Sequence, residues 1–137
     1  MGNLKSKTIL VISPQAWGTM LLSKHHYSIE LASRGNVVYF LNPPDPDIKE
    51  RIEINPIAEV ENLFIIKHRL NFTYHLKFRC IKIFHFFMRR HVKKIISHIG
   101  YQFDIVWSFD LGNLYPLNFF SNSYFFLLKV YSSLLSI

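Results

Sequence analysis

The sequence predicts an α/β fold, a mainly parallel sheet with flanking helices. Three observations carry that reading. Residues 8–13 form a continuous β-branched and apolar run with no polar alternation, the pattern of a central strand covered on both faces. A second apolar run, residues 37–41, follows a helical segment and Gly35. A long amphipathic helix then leads through Gly100 into a third apolar run, residues 103–109. Helix alternating with strand is the signature of parallel sheets joined by crossovers.

The first strand is followed by a segment over residues 14–23. Ser23 stands where an N-cap would open a helix over residues 24–34, since its hydroxyl can accept from the first free amides. Gly35 occupies the position after the last helical turn, where a left-handed residue closes the helix. The second strand is stopped by Pro43, Pro44 and Pro46. Residues 48–61 read as irregular and lead to a short third strand at residues 63–67. Residues 74–99 read as one long helix. Ile81, Phe84, Met88, Val92, Ile95 and Ile99 recur three and four residues apart, and Lys82, His85, Arg89 and Lys93 line another face. Residues 121–137 carry a single charge, Lys129, and no clean period or turn chemistry. They divide the chain into a domain over residues 1–120 and an atypical tail over 121–137. That tail is read as out-of-frame sequence after a truncation, or else as a last element imposed by tertiary context.

Composition narrows the function classes. The chain has 137 residues, 50% of them hydrophobic and 18% charged, which suits one folded domain rather than a disordered segment. Its one cysteine, Cys80, excludes an internal disulfide and a cysteine-built zinc site, and fits a reducing compartment. The N-terminal residues lack the apolar core of a signal peptide, so a cytoplasmic location is expected. The net charge of +7 suits a solvated basic face or an anionic membrane surface. No nucleic-acid-binding motif accompanies it, and no nucleic-acid partner is expected. Lys77, Arg79, Lys82, Arg89, Arg90, Lys93 and Lys94 sit among phenylalanines. That is the makeup either of an ordinary amphipathic helix or of one lying on the inner face of the plasma membrane.

In an open α/β sheet, ligands bind beyond the carboxyl ends of the strands, where strand order reverses. With the four expected strands in the order 3-2-1-4, that point lies between the first and the fourth. The loop carrying Trp17 and Gly18 then faces the loop carrying Asp110. Neither a Gly-x-Gly-x-x-Gly turn nor a Gly-Lys-Ser/Thr phosphate loop follows the first strand, which argues against dinucleotide oxidoreductases and P-loop NTPases.

Trp17, Gly18, Ser23, Lys24, His25, His26 and Tyr27, followed by Leu31, Ala32, Arg34, Gly35, Asn36, Val38, Tyr39, Phe40, Leu41, Asn42, Pro43 and Pro44, resemble the opening of bacterial GT-B glycosyltransferases that build surface polysaccharides. Phe103 to Asp110 is similar to the fourth-strand segment of the same group. The resemblance implies a Rossmann-like, acceptor-side N-terminal domain, here incomplete as an enzyme. It implies a sugar or lipid-linked acceptor as partner, and a nucleotide-sugar donor bound by a second, C-terminal domain that these residues do not contain. That domain would come from a separate partner chain or be lost, leaving an inactive remnant. No other cofactor and no metal is implied.

Within that frame His25 and His26, in the first helical turn, are candidates to hydrogen-bond an acceptor hydroxyl or act as base. Their other reading is surface or first-turn packing. Adjacent histidines point in different directions on a helix, which disfavours a metal site. Trp17 can stack on a sugar or pack its loop onto the sheet. Gly18 can permit the turn. Lys24 can meet an anionic acceptor such as a lipid-linked diphosphate. Asp110 can hold a hydroxyl or cap the following helix. The alternative to a transferase half is a non-catalytic module that binds an anionic membrane or a partner protein.

Overall fold

The computed structural model describes residues 7–13, 17, 23–73, 75–100, 102–108, 115–116, 120 and 124–126. Their elements run β1 (Thr8–Ile12), α1 (Ser23–Ser33), β2 (Val37–Leu41), β3 (Ile52–Pro56), β4 (Leu63–His68), α2 (Leu76–Arg79), α3 (Ile81–Ile99), β5 (Ile105–Ser108) and β6 (Tyr124–Phe126). The strands form one six-stranded sheet in the order β3-β4-β2-β1-β5-β6. Every neighbouring pair is parallel except β3 with β4. The expected α/β class with a mostly parallel sheet is therefore present.

The unbroken apolar run of β1 follows from its position. Leu10 and Ile12 enter one core with Phe84, Met88, Val92 and Ile95 of α3. Ile9 and Val11 enter a second core with Leu31 and Ala32 of α1. A strand with helices on both faces has no solvent side, so alternation would place polar groups in a core. All four of these β1 side chains are buried, and each contributes about 1.5–3 kcal/mol relative to exposure.

Both glycine helix stops are as expected. Gly35 has φ +91° and Gly100 has φ +98°, and the Gly100 amide donates to the Ile96 carbonyl at 2.8 Å. Asn36 reinforces the first stop. Its buried side-chain amide donates to the Leu31 carbonyl at 2.9 Å, while its oxygen accepts from the Lys7 amide at 3.1 Å.

Two expectations need correction. The segment over residues 48–61 is not irregular throughout, because Ile52–Pro56 forms β3, antiparallel to β4. The single helix expected over residues 74–99 is two helices. Cys80 is extended, at φ −150° and ψ 96°, and it separates α2 from α3. Within residues 121–137, Tyr124–Phe126 forms β6 and pairs in parallel with β5.

Candidate functional site

The parallel core of the sheet places β1 between β2 and β5, with Ile12 in register with both Leu41 and Ser108. The chain leaves β1 through α1 to reach β2 on one side, and reaches β5 on the other only after β4 and α3. Strand order thus reverses between β1 and β5, the position beyond whose carboxyl ends an open α/β sheet takes its ligand.

The candidate residues divide by position. Trp17 is half-buried, and its backbone amide donates to Asn42 Oδ1 at 3.0 Å. Its indole meets the Phe40 ring edge-on at 5.1 Å and joins the core under α1, which is the packing role weighed for it. His26 is exposed on α1. Lys24 and His25 lie in the first turn of α1, with side chains outside the described residues. Gly18 and Asp110 also lie outside the described residues.

Tyr27, one of the residues that carry the resemblance but not a site candidate, bridges the two sides of the switch. From α1 its ring meets Trp107 of β5 edge-on at 5.5 Å, and burial pushes its phenol pKa upward. Among the described residues, no group of three His, Cys, Asp or Glu is placed to hold a metal ion.

A buried polar cluster that sequence reading missed lies at the carboxyl ends of β2 and β4. His68 ends β4, with Nε2 2.7 Å from the Asn42 carbonyl oxygen and Nδ1 2.8 Å from His91 Nε2. A carbonyl only accepts, so His68 carries its proton on Nε2 and offers a lone pair at Nδ1. His91 must then donate from Nε2. Neutral His91 is left with an unprotonated Nδ1, which is buried without a partner among the described residues.

Burial lowers the His68 pKa to about 4, against the opposing bond to Asn42. Burial first, then the charges of His68, Arg51 and Lys94, lowers His91 to about 3. Both imidazoles are neutral at pH 7. Asn42 joins this pair to Trp17 after β1, since its carbonyl receives His68 while its side chain receives the Trp17 amide. One signal in the sequence does point to His91. It stands three residues after Met88 and four before Ile95, on the buried stripe of α3.

No protein-family model matches this chain, and neither a curated protein nor a solved structure matches it.

Proposed function

We propose that the chain is the acceptor-side, Rossmann-like half of a GT-B glycosyltransferase. In this reading it transfers a sugar from a nucleotide-sugar to a surface glycan or lipid-linked acceptor, and it needs a donor-binding domain to be active. The observation that supports this reading is the β4-β2-β1-β5 strand order. The two segments that resemble the family run through β1–α1–β2 and β5, and so flank the reversal where such a sheet binds its ligand. His25 and His26 serve the acceptor hydroxyl, and Trp17, Gly18, Lys24 and Asp110 line the acceptor side. The test is transfer from a panel of nucleotide-sugars after adding a donor-domain protein. Activity that His25→Ala or His26→Ala abolishes supports the assignment. Full activity in both variants removes the histidines from it.

A second reading, a module seated on anionic membrane at the inner face of the plasma membrane, has its own observation. Phe78, Ile81, Ile83 and Phe86 are exposed on α2 and α3. Cations accompany them, with Lys77 Nζ 4.9 Å from the Phe78 ring centre and the Arg90 guanidinium 5.9 Å from that of Phe86. Exposed aromatics interleaved with cations suit the boundary between headgroups and acyl chains. Among the described residues no helix is long and apolar enough to cross a membrane, so contact would be peripheral. This reading expects vesicle binding that survives loss of both histidines.

A further inference from the structure

Away from the β1–β5 switch, a cavity of about 50 Å³ lies between α3, the residue before β3 and the segment after β4. Its lining is Arg51, Asn71, Phe87, Arg90, His91 and Lys94. The four α3 residues fall at the three- and four-residue spacing of one helical face, which turns them together toward Arg51. Phe87 stacks on Phe72 at 5.5 Å and supplies an apolar wall.

Three cationic residues line this small space, and among the described residues no carboxylate does. The nearest acid in sequence, Glu50, lines the neighbouring cavity with Arg51 and Lys94. Like charges gathered around one space are relieved by an anion placed among them.

Two lining residues also carry buried polar atoms without a partner among the described residues, Arg51 Nε and His91 Nδ1. Burying such groups unmet is unfavourable, and in native proteins they are as a rule satisfied by protein, water or ligand. His91 is 1% exposed, and its Nε2 is committed to His68. One orphan is a donor and the other, in the tautomer set by Asn42 and His68, is an acceptor.

We infer that this cavity binds a phosphate group in a form that keeps one P–OH, as hydrogenphosphate or as the monoanion of a phosphomonoester. The Arg51, Arg90, Lys94 and Asn71 donors meet the phosphate oxygens, and His91 Nδ1 accepts from the one P–OH. Guanidinium and ammonium groups make charge-assisted bonds to phosphate, the stronger class of hydrogen bond. The acceptor at Nδ1 distinguishes this site from a plain cationic patch. Sulfate at neutral pH has no O–H to give it, so a lone pair would face a lone pair. None of the residues at the β1–β5 switch takes part, so the site stands apart from the transferase reading.

The test is calorimetric titration of the full chain with inorganic phosphate and with sulfate at pH 7, in chloride of matched ionic strength. A parallel arm uses vesicles of phosphatidic acid against phosphatidylcholine, to separate soluble phosphate from phosphate carried on a lipid. Saturable binding is expected in at least one arm, with phosphate several-fold tighter than sulfate. R90Q and K94Q should each weaken it by about tenfold or more. Both side chains are exposed, so these variants keep the fold. R89Q, with the same charge change on α3 but outside the cavity, should bind as the parent does. Two outcomes overturn the site: no saturable binding in either arm, which leaves water as the occupant, or R90Q and K94Q that bind like R89Q. Sulfate binding as tightly as phosphate overturns the role given to His91.

Discussion

His68 Nδ1 and His91 Nε2 lie 2.8 Å apart in the buried interior, and the Asn42 carbonyl at the far side of His68 decides which of them carries the shared proton. The pair joins the end of β4 to the middle of α3. It is a rigid link between the sheet and its largest helix, formed by neutral groups that must remain neutral.

That requirement sets a pH dependence. Both pKa values are lowered on folding, to about 4 for His68 and about 3 for His91, from an unfolded value near 6.5. Above that unfolded value the two states bind the same protons and the contribution to stability is fully present. As pH falls below it, the unfolded chain takes up protons that the folded chain refuses. Stability is then lost by up to about 1.4 kcal/mol per pH unit for each histidine. Thermal unfolding between pH 7 and pH 4 should show this loss, and His91→Gln should flatten the slope relative to the parent. Equal slopes in the two proteins would remove the pair as its cause.

Phe84 and Phe86 give a paired prediction. Phe84 is 0% exposed against the sheet, whereas Phe86 is 50% exposed on the other side of the same helix. Phe84→Ala should cost about 3–5 kcal/mol in denaturant unfolding, from lost burial plus a cavity. Phe86→Ser should leave stability nearly unchanged and lower binding to anionic vesicles. A stable Phe84→Ala protein would contradict the two-core packing of the sheet.

Gly35 and Gly100 test the helix stops. A Cβ at either position meets nothing within 4 Å, so the only penalty for alanine is the positive φ. Gly35→Ala and Gly100→Ala should each lose about 1–2 kcal/mol, read from the urea midpoint. A larger loss would require a steric contact that these positions lack.

Asn42 governs how the loop after β1 is held. Asn42→Ala removes the side-chain acceptor for the Trp17 amide but leaves the backbone carbonyl that receives His68. The expected result is a loss of about 1–3 kcal/mol with a red shift in tryptophan emission as Trp17 loosens from Phe40. Unchanged emission would show that the Phe40 contact alone fixes the indole.

Most of the frame is legible in the sequence because local chemistry dictates it. The unalternating run of β1, the glycines at 35 and 100 and the apolar stripe of α3 each report their surroundings directly. β3 is harder to read. Its five residues include Asn55 and Pro56 and are partly exposed, and the strand exists because β4 offers it an edge. The break at Cys80 has no proline or glycine to mark it, and nothing local explains it. The site is less legible for another reason. His68 and His91 are 23 residues apart, and a buried histidine pair becomes visible only once the sheet and α3 are packed together.

The most direct test of the ligand position between β1 and β5 uses the two tryptophans of the chain. Trp17 follows β1 and Trp107 lies in β5, so each indole N–H signal in a nitrogen-15 NMR spectrum reports one side of the switch. The probe is a water-soluble, short-chain analogue of a lipid-linked sugar diphosphate, titrated into the full chain. The account predicts that both indole signals shift together and saturate at one ligand per chain. Saturable binding that moves neither indole would place the ligand elsewhere and contradict the acceptor-side reading.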